Sequence, residues 1–238
     1  MDFKGKNILV VGGSSGIGLS LVKLLAANSA TVYNVSRTAS AEWPEGIHHL
    51  TLDILGDTSQ VAGFLPEQLH GLVYSVGSIN LKPFNRLTED DFLNDYRINV
   101  LGAVKIIQPA LKSLKAAQGA SIVLISSVAA RAGMSFHSSI SAAKGAVEGL
   151  ALSLAAELAP NYIRVNVVAP SLTNTPLAQN LLNTPEKKEA SKKRHPLGKY
   201  GSPEDISSAI GFLLAEESAW MTGQVIGIDG GLGRLKIS

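Results

Sequence analysis

Cysteine is absent from the 238 residues. No disulfide, thiolate nucleophile or thiolate-held metal can therefore exist, and any redox chemistry has to come from a bound cofactor. Charge is sparse as well: charged residues make up 17% of the chain and leave a formal net charge of +2. Such a balance creates no field that draws in nucleic acid or a membrane surface, which leaves a small-molecule substrate as the expected partner. Long hydrophobic runs are missing too, none reaching the roughly 18 residues that span a bilayer. Residues 1–6 carry charges and lack the apolar stretch and small-residue cleavage site of a signal peptide, so a soluble, cytoplasmic location is expected. There is no internal repeat, low-complexity tract or interdomain linker, and no metal site is expected.

What the chain does have is a regular alternation of two patterns. Apolar residues form 45% of it, enough for a full core. Short apolar runs at 7–11, 31–35, 49–52, 71–74, 121–125, 163–168 and 224–228 read as buried strands. Between them apolar residues recur at helical spacing, as in Leu21, Leu24 and Leu25, in Val100, Val104, Ile107 and Leu111, and in Val147, Leu150, Leu154 and Leu158. Thr88 followed by Asp91 is a capping-box-like helix start. Strands alternating with helices predict one α/β domain over 1–238, a Rossmann-type doubly wound parallel sheet of about seven strands with helices on both faces. Residues 172–200 break the rhythm after the sixth strand and hold Pro176, Pro185 and Pro196 together with several lysines. An insertion at a strand's carboxyl end lies where such sheets bind ligands, so it is a candidate substrate lid.

The first strand runs into Gly12-Gly13-Ser14-Ser15-Gly16-Ile17-Gly18, directly ahead of a helix. Gly12, Gly16 and Gly18 suit a tight turn, close approach of backbone to a pyrophosphate, and close helix–strand packing, with the helix N-terminus facing the phosphates. This context predicts a nicotinamide dinucleotide site. An acidic residue about 20 positions on would bind a ribose 2′-hydroxyl and signal NAD. The chain instead has Ser36-Arg37. A guanidinium fork pairs with a 2′-phosphate, with Ser36 or Ser14 adding hydrogen bonds, so NADP(H) is the expected cofactor. Asp53, followed by Ile54, is placed to accept from the adenine amino group or, alternatively, to make a turn.

Taken together, these features resemble the short-chain dehydrogenase/reductase family along almost the whole chain. The pattern Gly12-x3-Gly16-x-Gly18 is joined by Asn99 in Ile98-Asn99-Val100-Leu101-Gly102, by Ser126-Ser127, by Lys144 and by Asn166-Val167-Val168-Ala169-Pro170. Pro196-Leu197-Gly198, Gly201-Ser202-Pro203-Glu204-Asp205 and Asp229-Gly230-Gly231 follow in order. The resemblance implies carbonyl reduction or alcohol oxidation, with Asn99, Ser127 and Lys144 as catalytic residues. It also implies cofactor contacts from Ser75, Val76 and Gly77, from Pro170, Thr173 and Thr175, and from Lys144 to the nicotinamide ribose. Homodimers or homotetramers are implied through helices near 99–114 and 140–158, where Ala142, Ala146, Ala151 and Ala155 suit close packing.

In one respect the chain departs from the family. The family's tyrosine, four residues before the lysine, falls on Ile140. Isoleucine cannot donate the proton that a reduced carbonyl oxygen needs, and losing a general acid costs roughly 10²–10⁴-fold in rate. Five residues are candidates for the proton: His137, the pair Ser139 and Ser141, Ser127, and Tyr74. Milder departures are Tyr74-Ser75-Val76-Gly77 after the fourth strand and Pro170-Ser171 after the sixth. Three functions follow as expectations: an NADP(H)-dependent oxidoreductase acting on a carbonyl, alcohol or activated double bond; a non-catalytic NADP(H)-binding sensor or scaffold; and an enzyme that holds the nucleotide structurally during lyase or isomerase chemistry.

Overall fold

A computed structural model describes residues 1–236. The apolar runs form seven strands, β1 (Asn7–Val11), β2 (Thr31–Ser36), β3 (His48–Thr51), β4 (Gly71–Tyr74), β5 (Ala120–Ile125), β6 (Ile163–Pro170) and β7 (Val225–Ile228). All pair in parallel in one sheet, in the order β3-β2-β1-β4-β5-β6-β7. The order reverses direction between β1 and β4, which leaves a crevice at the carboxyl ends where the chain leaves for opposite sides.

Small boundary differences have local causes. β6 runs on through Pro170, whose missing N–H costs nothing at the last rung opposite Ile228. β7 begins at Val225 because the Gln224 N–H is taken by the Asn166 side chain at 3.0 Å. β3 starts at His48, whose ring stacks on Tyr33 of β2 with centroids 4.6 Å apart.

The helices are α1 (Gly16–Ala27), α2 (Val61–Phe64), α3 (Glu89–Tyr96), α4 (Gly102–Ala116), α5 (Ser138–Leu158), α6 (Pro185–Arg194) and α7 (Pro203–Leu214). α3 opens on the expected capping box, Thr88 Oγ1 accepting from Asp91 N at 3.3 Å and Asp91 Oδ2 from Thr88 N at 3.0 Å. A wider, π-type turn at Arg97–Leu101 joins α3 to α4 and carries Asn99.

Two cores cover the two sheet faces, which is why the strands read as uniformly apolar. One buries Leu21, Leu25, Ile206, Ile210 and Leu213 from α1 and α7. The other buries Ile106, Leu114, Val147, Ala151 and Leu158 from α4 and α5. Of the alanines expected to suit helix pairing, Ala151 and Ala155 therefore face the sheet, while Ala142 is exposed. The segment 172–200 is an excursion whose ends meet: Thr173 bridges Gly201, and Gly201 N donates to Leu172 O at 3.0 Å. Its lysines lie on exposed faces, while Ser191 and His195 turn inward.

Candidate active site

The turns after β1 to β6, together with α5 and α6, enclose a cavity of about 810 Å³. The cavity wall includes Gly12, Ser14, Ser15, Gly16 and Ile17 after β1, Ser36 and Arg37 at the end of β2, and Asp53 and Ile54 beyond β3. It continues through Ser75, Val76 and Gly77 after β4, Ser127 after β5, His137, Ile140 and Lys144, and then Pro170, Thr173 and Thr175. Two of the expected residues lie behind this wall: Gly18, which packs α1 on the β1 turn, and Asn99. A second cavity of about 490 Å³ opens at the amino ends of the strands beside His70, Arg164 and Trp220, and contains none of the expected site residues.

At the β1–α1 turn the glycine positions leave no room for a side chain. Gly12 and Gly16 have φ of 89° and 53°, a region that disfavours other residues. A Cβ on Gly18 would sit 2.1 Å from Gly12 O, and one on Gly13 would sit 2.2 Å from Asn34 Oδ1. Gly13, which sequence spacing did not single out, is needed because its N–H, donating to Asn34 Oδ1 at 2.9 Å, holds that amide where a Cβ would lie. Ser15 caps α1 without a side-chain bond and the first turn holds no acid, so its N–H donors stay open to an anion. This cradle fits a dinucleotide pyrophosphate.

At the β2 end, Arg37 is exposed and pairs with no carboxylate among the described residues. Ser36 is less available than expected. Its hydroxyl donates to Thr38 O and accepts from Asn34 Nδ2, both at 2.8 Å, whereas Ser14 has no such partner among the described residues. Asp53 Oδ1 accepts from Leu55 N at 3.0 Å, the turn geometry foreseen as its alternative, while still lining the cavity.

At the opposite end Lys144 Nζ donates to Ile125 O at 2.8 Å. Burial lowers its pKa from 10.5 to about 8, against the opposing pull of Asp95. Asn99 Nδ2 donates to Asp95 O at 2.8 Å and to Ser78 Oγ at 3.0 Å, while its Oδ1 is buried without a partner. A Cβ at Gly77 would lie 3.4 Å from that Oδ1 and 3.5 Å from Lys144 Nζ, so both atoms face the same point beside Gly77. Asp95 escaped notice in the sequence. It is 2% exposed, accepting hydrogen bonds from Ser78 and Ser139 and lending its negative charge to Lys144. Its acidic character in an acidic helix, EDDFLNDY, hid the one carboxylate that turns inward.

The proton-donor candidates separate clearly. Ile140 is 5% exposed, one turn before Lys144, and contributes only hydrocarbon to the wall. Tyr74 donates to Ile98 O at 2.6 Å, is raised in pKa by burial and then by Asp53, and lies off the cavity wall. Ser139 is committed to Asp95 and Ser141 to Ala129 O at 2.8 Å. Ser127 keeps its proton free while its Oγ accepts from Ala129 N at 3.2 Å. His137 lines the cavity with Nδ1 2.7 Å from Ser135 O. No cluster of metal-binding side chains occurs among the described residues.

A glycine-walled helix start beneath a cavity at the carboxyl ends of a parallel sheet defines an α/β dinucleotide-binding protein. Comparison with known proteins narrows this class. A family model described as enoyl-(acyl carrier protein) reductase matches residues 11–233. A tropinone reductase homolog of Arabidopsis thaliana is 34% identical over 246 residues, covering 97% of this chain and 94% of its own. L-xylulose reductase of Bos taurus is 34% identical over 244 residues, covering 97% and 98%. Among solved structures, that of ElxO with NADP bound superposes with a TM-score of 0.87 at 29% identity, covering 95% of this chain and 98% of that one. The chain belongs to the short-chain dehydrogenase/reductase family and is an oxidoreductase working with a nicotinamide cofactor.

Proposed function

We propose that this protein is an NADPH-dependent reductase of carbonyl compounds or activated double bonds, with residues 172–200 as its substrate lid. The observation that carries the reading is the single cavity joining Arg37 and the glycine turn at one end to Ser127 and Lys144 at the other. Bound NADPH supplies a hydride. Arg37 and Ser14 hold the 2′-phosphate, the α1 N-terminus the pyrophosphate, and Lys144 the ribose next to the nicotinamide. Asp53 and Ile54 border the adenine, Ser75, Val76 and Gly77 the adjoining ribose, and Pro170, Thr173 and Thr175 the nicotinamide amide. Ser127 donates its free hydroxyl proton as a hydrogen bond to the substrate oxygen, and Asn99 steadies the backbone of Asp95, whose carboxylate acts on Lys144. The apolar Ile140 wall favours a substrate with hydrocarbon next to the reacting group.

A second reading rests on Ile140 itself: a non-catalytic NADP(H)-binding sensor, in which Lys144 is kept for ribose binding alone. Following NADPH absorbance with isatin, phenanthrenequinone and an aliphatic enone, alongside NADPH binding by fluorescence, separates the two. Oxidation of NADPH with at least one probe is expected; tight binding without any turnover overturns the reductase in favour of the sensor.

A homodimer or homotetramer is part of the same reading. On α5, Ala142, Gly145, Gly149 and Leu152 form an exposed stripe, Leu152 being 62% exposed. Light scattering at micromolar concentration should show at least a dimer, and a monomer overturns this.

A further inference from the structure

A polar pair stands in the cavity apart from Ser127 and Lys144. Ser171 follows Pro170 at the end of β6, and His195 follows α6; both line the cavity. The imidazole is 2% exposed. Its Nδ1 lies 2.6 Å from Ser191 O, and its Nε2 lies 2.9 Å from Ser171 Oγ. A carbonyl can only accept, so Nδ1 carries a proton and Nε2 is left to face the serine. In the neutral ring Nε2 accepts the Ser171 proton; in the imidazolium Nε2 donates, and the Ser171 hydroxyl proton is released toward the cavity. The loops after β5 and β6 are neighbours, Ser126 N donating to Val168 O at 2.8 Å, so Ser171 and Ser127 stand on adjacent rims.

We propose that Ser171 is the catalytic proton donor of this reductase and that His195 is the positioning residue that orients and recharges it, together replacing the hydroxyl that Ile140 cannot provide. The inference rests on the reductase reading above. In the step, the carbonyl carbon gains the hydride supplied by NADPH while the C=O π pair moves to oxygen. That oxygen takes the Ser171 Oγ proton, Ser171 takes the Nε2 proton of the imidazolium, and water reprotonates the ring. The sum is ketone, NADPH and one proton giving alcohol and NADP⁺. Beside the ring, Arg194 is bonded to Ser191 Oγ at 3.2 Å, and Gly230 packs against the imidazole, a Cβ there lying 3.7 Å from its Cδ2.

Capping the end of α6 would explain Nδ1 on Ser191 O but not Nε2 on a cavity hydroxyl. The test uses that asymmetry with the NADPH-oxidation probes isatin and phenanthrenequinone. Ser171→Ala should lower kcat by about 10²-fold with KM and NADPH affinity unchanged. Ser171→Thr, which keeps a hydroxyl, should recover most of the rate. His195→Asn, which keeps a donor for Ser191 O but has no Nε2, should lose kcat while retaining its melting temperature. In an Ile140→Tyr background, Ser171→Ala should cost little, because a phenol now supplies the proton. Active wild-type protein whose kcat survives Ser171→Ala overturns the relay alone. NADPH binding with no turnover of any probe overturns the reductase reading and the relay with it. Loss of folding in both Ser171→Ala and Ser171→Thr would mark the serine as structural and overturn the proposal.

Discussion

The two ends of the cavity are built by different means. At the glycine turn backbone conformation and close packing set the limits: Gly12 and Gly16 hold positive φ, a Cβ on Gly18 would lie 2.1 Å from Gly12 O, and one on Gly13 would lie 2.2 Å from the Asn34 side chain. At the Lys144 end the wall is assembled from side chains on and after β5, α5, β6 and α6. Such a division lets cofactor binding and chemistry vary separately. A backbone-determined half stays fixed as long as the fold does, while a side-chain-determined half can take Ile140 next to Lys144 and still bury both, at 5% and 7% exposure.

The hardest test of this contrast is a single methyl group. Gly18→Ala places a carbon against Gly12 O, a backbone atom that cannot move aside. NADPH affinity measured by fluorescence should fall at least about 100-fold, or the protein should fail to fold, because overpacking of this kind costs about 1–3 kcal/mol or more. The same change at Gly63, exposed in α2 with nothing within 4 Å, should raise the melting temperature. Replacing a helix-interior glycine by alanine contributes about 0.5–1 kcal/mol. Normal NADPH binding by Gly18→Ala would remove the distinction between the two ends.

Arg37 tests whether a side chain decides the choice of cofactor. Arg37→Asp should weaken NADPH binding by about ten- to a hundredfold, the worth of a lost hydrogen-bonded charge pair, and leave NADH binding unharmed. Titrating both dinucleotides by fluorescence measures the ratio. Equal losses for the two would mean that Arg37 faces solvent and that the 2′-phosphate is held elsewhere.

The contrast also accounts for what could be read in the sequence. The parallel sheet, its seven strands and the glycine turn follow from short-range patterns: apolar runs, helical spacing, and glycines within seven residues of one another. Boundaries moved by only a residue or two, at β7 because the Asn166 side chain takes the Gln224 N–H. Gly13 was passed over because its constraint comes from Asn34, 21 residues away on β2. Asp95 and His195 were missed for the same reason at longer range. Asp95 meets Ser139 across 44 positions, and His195 meets Ser171 across 24. Nothing local distinguishes a carboxylate or imidazole that turns inward from one that stays in water; tertiary packing alone decides it.

Lys144 offers the smallest and most specific measurement. Folding lowers its pKa from 10.5 to about 8, chiefly through burial, with Asp95 opposing. The sign follows from proton counts. Below about pH 8 folded and unfolded chains both carry the ammonium, and the folded one bears the cost of burying it. Between about 8 and 10.5 the unfolded chain still binds a proton that the folded chain has released, so stability rises with pH across that window and levels off above it. Lys144→Met has no such group. The melting temperature of the wild-type protein, relative to this variant and without nucleotide, should therefore climb as pH is raised through the window. A constant difference would mean that Lys144 stays hydrated at the cavity wall, and the chemical end of the site would then be as open to water as the turn that holds Arg37.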